Sequence, residues 1–254
     1  MTRRARSEPD EGDGMKRIVK WIAIGLAAGA VVGAAGIAGY LAYMGRAASD
    51  PAFFAPEIEA FLEADRQAPP APGAIVFYGS SSIRFWSTLE ADMAPLPVLN
   101  RGFGGAQLSH LIHEAPRVVI PLAPRAVVVY GGDNDFGAGK GAEEVVADFE
   151  ALVALLRASL PELDVYFLSI KPSRLRWKQW PEMARANDAI RALADADPRL
   201  HFLDVGTILL GPDGRPRREL FRFDGLHLNA AGYAAWTSVV SPGLRAAYGS
   251  GPLR

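Results

Sequence analysis

The sequence predicts a three-layer α/β fold around a parallel sheet of about five strands. Two observations carry that prediction. Short apolar runs of strand length recur at residues 74–78, 98–99, 126–130, 165–169 and 202–205, and runs of this kind suit strands buried on both faces. Between them lie segments that read as helices, at residues 82–93, 107–120, 142–160 and 181–196. Strands that alternate with helices imply right-handed crossovers, which place helices on both faces of a parallel sheet.

Taken in order, residues 1–17 are polar and charged, lack apolar periodicity, and read as a disordered tail. From Trp21 to Gly45 the chain carries no charge, a length that spans a hydrocarbon core of ~30 Å with some tilt. Residues 18–45 therefore read as a transmembrane anchor, with Trp21, Tyr40 and Tyr43 near its ends as interfacial aromatics. Arg3, Arg4, Arg6, Lys16, Arg17 and Lys20 precede the span, and only Arg46 follows closely. The positive-inside rule then makes the tail cytoplasmic and exports everything after residue 46, to the periplasm or cell surface. A cleavable signal peptide is the alternative, with Ala47-Ala48-Ser49 as a processing site, but its apolar region is usually only about 7–15 residues. Gly25, Gly29 and Gly33 have helix-packing spacing, a weak pattern in a segment so rich in Gly and Ala.

Residues 46–73 form a second segment. An amphipathic helix is expected over residues 50–66, with Phe53, Phe54, Ile58, Phe61 and Leu62 on one side, followed by a stiff proline-rich connector at 67–73. The remaining span, 74–248, is the α/β domain. Its first strand ends at Gly79 and runs into Ser80, Ser81 and Ser82. Pro181 suits a helix start, and Asn229 is a good N-cap for a last helix through Tyr233, Trp236 and Val240. Half of the 254 residues are hydrophobic, and the formal net charge of -1 gives no electrostatic case for nucleic-acid binding. Without cysteine, disulfides, thiol catalysis and cysteine-ligated metal centres are excluded.

Ligands of open α/β sheets bind outside the carboxyl ends of the strands. The loops there hold Ser80-Ser81-Ser82, Asn100 to Gly105, Gly131 to Asp135, and Asp224 to His227. Together they supply hydroxyls, glycine backbone, a carboxamide, and a carboxylate close to an imidazole. Acyl transfer uses those parts. A serine hydroxyl needs a base to take its proton, and histidine is the usual one near neutral pH. The imidazole needs a carboxylate on its other nitrogen, and Asp224 and His227 can reach one another across a turn. The developing oxyanion needs preorganised donors, for which a glycine amide and an asparagine side chain are suited. The three serines remain alternatives on this reasoning, either as nucleophile or as helix caps.

Four blocks in order resemble those of the SGNH, or GDSL-like, hydrolases, a large group of esterases and lipases with a flavodoxin-like parallel sheet. Gly79-Ser80-Ser81-Ser82 resembles the nucleophile block, with Ser80 replacing its usual aspartate. Asn100 to Gly105 resembles the second block, Gly132-Asp133-Asn134-Asp135 the Gly-x-Asn-Asp block, and Asp224-x-x-His227 the last. The resemblance covers residues 74–244. It implies Ser81 as nucleophile, His227 as base and Asp224 as its orienting carboxylate. It also implies an oxyanion hole made by Ser81, Gly105 and Asn134. Ala106 stands where many members carry aspartate, which with Ser80 leaves the subfamily and substrate open.

Other patterns fit less well. His110 and His113 have a metal-chelating spacing, but no suitable third ligand accompanies them, and exposed helix positions are expected. His201 reads as structural. Lys171, Arg174, Arg176, Trp177 and Trp180 lie in a loop at the active-site edge, where lining a substrate site is the alternative and a solvated loop the default reading. Gln107 stands in place of the third glycine of a dinucleotide fingerprint, and Ile83 in place of the second glycine of the α/β-hydrolase elbow.

The sequence thus points to a membrane-anchored, extracytoplasmic serine esterase that needs no cofactor or metal. Its substrate would be a small-molecule, lipid or glycan ester, such as a short-chain ester, a lysophospholipid or an acetylated glycan. A glycan O-acetyltransferase and a non-catalytic envelope binding module are the alternatives. Oligomeric state is open.

Overall fold

Five strands, β1 (Ile75–Gly79), β2 (Val98–Gly102), β3 (Ala126–Tyr130), β4 (Asp164–Leu168) and β5 (Leu200–Leu203), form one parallel sheet in the computed structural model. Their order is β2-β1-β3-β4-β5. The order reverses between β1 and β3, and their register pairs Gly79 with Tyr130. The loops that follow these two strands therefore start side by side, at the switch point where open α/β sheets bind ligands.

The structure describes residue 50 and residues 52–249, with scattered positions between 20 and 39. The chain divides into two units, Met1–Arg46 and Ala47–Arg254. In the first, the described positions are helical, and Trp21, Ile22, Ile24, Leu26 and Val31 are exposed. Among the described residues no helix is long and apolar enough to cross a membrane. The tail expected at 1–17 and most of the span expected at 18–45 lie outside them.

In the second unit the helices are α1 (Ala55–Gln67), α2 (Ser81–Arg84), α3 (Leu89–Met93), α4 (Leu108–Val118), α5 (Asp133–Gly137), α6 (Ala142–Ser159), α7 (Trp180–Ala196) and α8 (Ala230–Tyr248). Successive strand residues point to opposite sheet faces, and two cores result. Val76, Tyr78, Val127, Val129, Val165 and Phe167 pack with α4, α6 and α7, and Phe54 and Ile58 bring α1 onto the same face. Phe77, Val128, Tyr130 and Leu168 pack with α2, α3 and α8 on the other. Asn229 caps α8 by accepting the Gly232 amide at 3.1 Å.

Three local expectations change. The helix expected over 82–93 is two short ones, because the chain turns between them to bury Trp86 against Phe77, Tyr233 and Trp236. β2 extends to Gly102 rather than ending at 99. Its Arg101 side chain is buried against α1, paired with Asp65 and lying over the Phe61 ring. His113 is exposed as expected, but His110 is buried: its Nδ1 accepts the Gln107 amide at 3.0 Å, and its ring packs edge-on against Phe54. His201 lies in β5, stacked on Tyr166.

Candidate active site

The turn from β1 into α2 is braced on several sides. Asn100 donates from Nδ2 to the Ile83 carbonyl at 2.7 Å and accepts the Gly102 amide at 2.9 Å. The Phe103 amide donates to the Gly79 carbonyl at 3.0 Å, and the Tyr233 hydroxyl to the Ser82 carbonyl at 2.9 Å. Gly102 is needed for this contact, since a Cβ there would lie 2.1 Å from the Arg84 nitrogen. Of the three serines, Ser80 and Ser82 are 2% and 1% exposed, whereas Ser81 is half-buried and open to the site.

Ser81 faces the loop before α8. His227 Nε2 lies 3.0 Å from Ser81 Oγ, and His227 Nδ1 lies 2.7 Å from Asp224 Oδ2. The other oxygen, Asp224 Oδ1, accepts the amides of Leu226 at 2.9 Å and His227 at 3.0 Å. Burial pushes the Asp224 carboxyl up, but the His227 ring bond and the two amides outweigh it, so the group is held below the ordinary carboxylate value. The carboxylate is thereby kept ionised beside the ring. Phe85 packs edge-on against the imidazole at 5.1 Å.

The remaining predicted residues occupy the neighbouring loops. Gly105 sits in the turn after β2 with φ of 86°, a left-handed conformation that favours glycine. Asn134 is buried at the start of α5, and its Nδ2 donates to the Ala106 carbonyl at 2.9 Å, which ties the carboxamide to the glycine turn. The structure therefore brings Ser81, His227 and Asp224 into one hydrogen-bonded line. A single hydrogen bond, from Asn134 to the Ala106 carbonyl, joins Asn134 to the turn that holds Gly105.

The loop after β4 differs from the solvated loop expected. Arg174 is exposed, and Trp177 and Trp180 are half-buried and stacked on each other. Lys171 and Arg176, however, are buried, and both pair with Asp133. Arg176 Nη2 also donates to Asn134 Oδ1 at 3.1 Å. Burial pushes the Asp133 carboxyl up, but Arg176 and Lys171 outweigh it and hold it well below the usual carboxylate range. Burial pushes the Lys171 ammonium below the ordinary lysine value despite Asp133. Sequence reasoning passes over Asp133, although β3 and β4 are neighbours in the sheet. An acid after one strand and two bases after the next is the signal that could have found this cluster. Asp135, fully buried, instead accepts the Leu108 amide and an ion pair from Lys140.

Among the described residues, no group of three His, Asp or Glu side chains could hold a metal ion. The arrangement can deprotonate the Ser81 hydroxyl through an imidazole whose far nitrogen faces a carboxylate, which is the geometry of acyl transfer through a serine.

A model of the GDSL-like lipase/acylhydrolase family matches residues 71–235. Several solved structures are similar. One, a Streptococcus pneumonia protein described as a platelet activating factor, is 24% identical with a TM-score of 0.66; the match covers 74% of this chain and 91% of that one. A GDSL-like lipase from Bacteroides thetaiotaomicron is 18% identical with a TM-score of 0.64, covering 75% and 98%. A carbohydrate esterase family 3 protein from Talaromyces cellulolyticus is 18% identical with a TM-score of 0.56, covering 70% and 100%. At these identities the structures share the fold. No curated protein matches the sequence.

Proposed function

The chain belongs to the GDSL-like lipase/acylhydrolase family, and within it we propose a serine esterase whose nucleophile is Ser81. The observation that carries this reading is the line from Ser81 Oγ through His227 to Asp224, at 3.0 and 2.7 Å. His227 Nε2 takes the hydroxyl proton as Oγ attacks the ester carbonyl. The tetrahedral oxyanion is held by the amides of Ser81 and Gly105 and by Asn134 Nδ2. His227 then gives its proton to the leaving alcohol, and acyl-Ser81 forms. Water attacks the acyl group with His227 again as base, which releases the acid and restores the serine.

The site rim supports an ester with an apolar part. Leu175 and Phe223 are the large hydrophobic side chains that the described residues of the second unit leave exposed. The Leu175 amide donates to the Gly225 carbonyl at 3.1 Å, so both lie on joined loops beside Asp224. Short acyl esters, lysophospholipids and acetylated glycans are the substrate classes to compare. The uncharged stretch from Trp21 to Gly45 supports an anchor that holds this unit on the outer face of a membrane. Protease accessibility of the second unit in spheroplasts, whose inner membrane is intact, tests that placement, and protection there would reverse it.

The full chain in detergent should hydrolyse p-nitrophenyl esters, and Ser81→Ala should abolish turnover. Undiminished turnover in that variant would sink the mechanism. Failure of the wild type on every ester would favour a binding module. Transfer to a sugar acceptor in preference to water would favour a transferase.

A further inference from the structure

Behind Asn134 the structure holds a buried polar cluster that the proposed reaction does not itself use. Its members are Asp133, Lys171 and Arg176, at 4%, 0% and 7% exposure. Asp133 pairs through Oδ2 with Lys171 and through Oδ1 with Arg176 Nη1. Lys171 also reaches the Tyr130 hydroxyl at 3.2 Å. The Arg176 guanidinium lies against Gly137, where a Cβ would be 2.7 Å from Nη2.

Charges this deep are costly to desolvate, and well-packed apolar residues often serve stability as well or better. What the cluster adds is direction. Arg176 Nη2 donates to Asn134 Oδ1 at 3.1 Å, and Asn134 Nδ2 donates to the Ala106 carbonyl at 2.9 Å. A guanidinium has donors and no acceptor. Flipping the Asn134 amide would set its NH2 against Arg176 and its oxygen against the Ala106 carbonyl, leaving both contacts repulsive in a buried site. The amide is thus locked with one Nδ2 hydrogen on Ala106 and the second without an acceptor among the described residues.

We propose that Arg176, anchored by the Asp133–Lys171 pair, is a positioning residue that fixes the Asn134 carboxamide as an oxyanion donor. The inference rests on the reading of Asn134 given above. Arg176 acts through Asn134 and touches no reacting atom. Its loss should therefore be felt in the transition state and not in ground-state binding.

The test is a double-mutant cycle on the full chain with p-nitrophenyl acetate. Arg176→Met should lower kcat about tenfold or more, with KM changed less than about threefold, as expected when a donor is misplaced. In an Asn134→Ala background the same substitution should cost less than about twofold, because no amide remains to be oriented. Arg176→Lys, which keeps the charge but not the fork, should recover part of the loss and carries the cycle if the methionine variant melts before assay. An equal loss in both backgrounds, or unchanged kcat in a folded Arg176→Met protein, would overturn the proposal. A loss below about threefold for Asn134→Ala alone would overturn it together with the donor role of Asn134, while Ser81→Ala still judges the nucleophile separately.

Discussion

Asp224→Asn isolates the carboxylate's electronic role from its structural one. Asp224 Oδ1 accepts two backbone amides, at 2.9 and 3.0 Å, while Oδ2 faces His227 Nδ1 at 2.7 Å. An asparagine can keep its oxygen on the two amides, which leaves its NH2 against the ring. The reverse placement would set NH2 against two N–H groups and forfeit two hydrogen bonds, at about 1 kcal/mol each, so it is disfavoured by about 2 kcal/mol. In the favoured placement His227 Nδ1 must accept, the ring proton moves to Nε2, and Nε2 meets Ser81 Oγ as a donor. The base is then lost although the loop is intact. That wrong tautomer costs about 10⁴-fold in kcat in a serine triad, or about 5.5 kcal/mol of barrier. The assay is burst and steady-state hydrolysis of p-nitrophenyl acetate, with thermal melting as the control for folding. Asp224→Asn that retains more than a tenth of wild-type kcat would refute the assignment of Asp224 as the group that sets the tautomer.

Asp133→Asn should lower stability by about 3–5 kcal/mol, because Lys171 and Arg176 would be left buried without their counter-charge; urea unfolding at pH 7 reads this directly. The Asp133 pKa is depressed in the folded state, so its stabilisation is present above an unfolded value of about 4 and is lost as pH falls toward the folded one. The gap between wild type and Asp133→Asn should therefore narrow between about pH 4 and pH 2, and a gap that widens would reverse the sign of the argument. Asn100→Ala removes the donor to the Ile83 carbonyl and the acceptor of the Gly102 amide. It should cost about 1–3 kcal/mol, seen in calorimetry as a Tm lower by about 2–12 °C.

The fold was legible in the sequence because its signals are local. Residues of β1 and β3 are buried throughout, so each strand reads as an apolar run whatever packs on it. Asp224 and His227 are legible for the same reason, since a turn of three residues suffices to bring their side chains together. The break after Arg84 was not legible. It depends on Trp86 finding Tyr233 and Trp236, which lie far along the chain. β2 likewise runs through Arg101 only because Asp65 and Phe61 of α1 are waiting for that side chain.

The buried cluster shows the same limit at its sharpest. Read alone, Lys171, Arg174 and Arg176 are a basic loop, and charged loops belong in water. Only Arg174 obeys. The other two are drawn inward by Asp133, which is 38 and 43 residues away in sequence but stands after the adjacent strand. Charge pairing across the carboxyl edge follows strand order, not chain order. Once the order β1-β3-β4 is known, the loops after β3 and β4 must meet, and an acid in one with two bases in the next becomes a testable pairing. The same adjacency carries Arg176 to Asn134, so the contact that hides the cluster from the sequence also links it to the site.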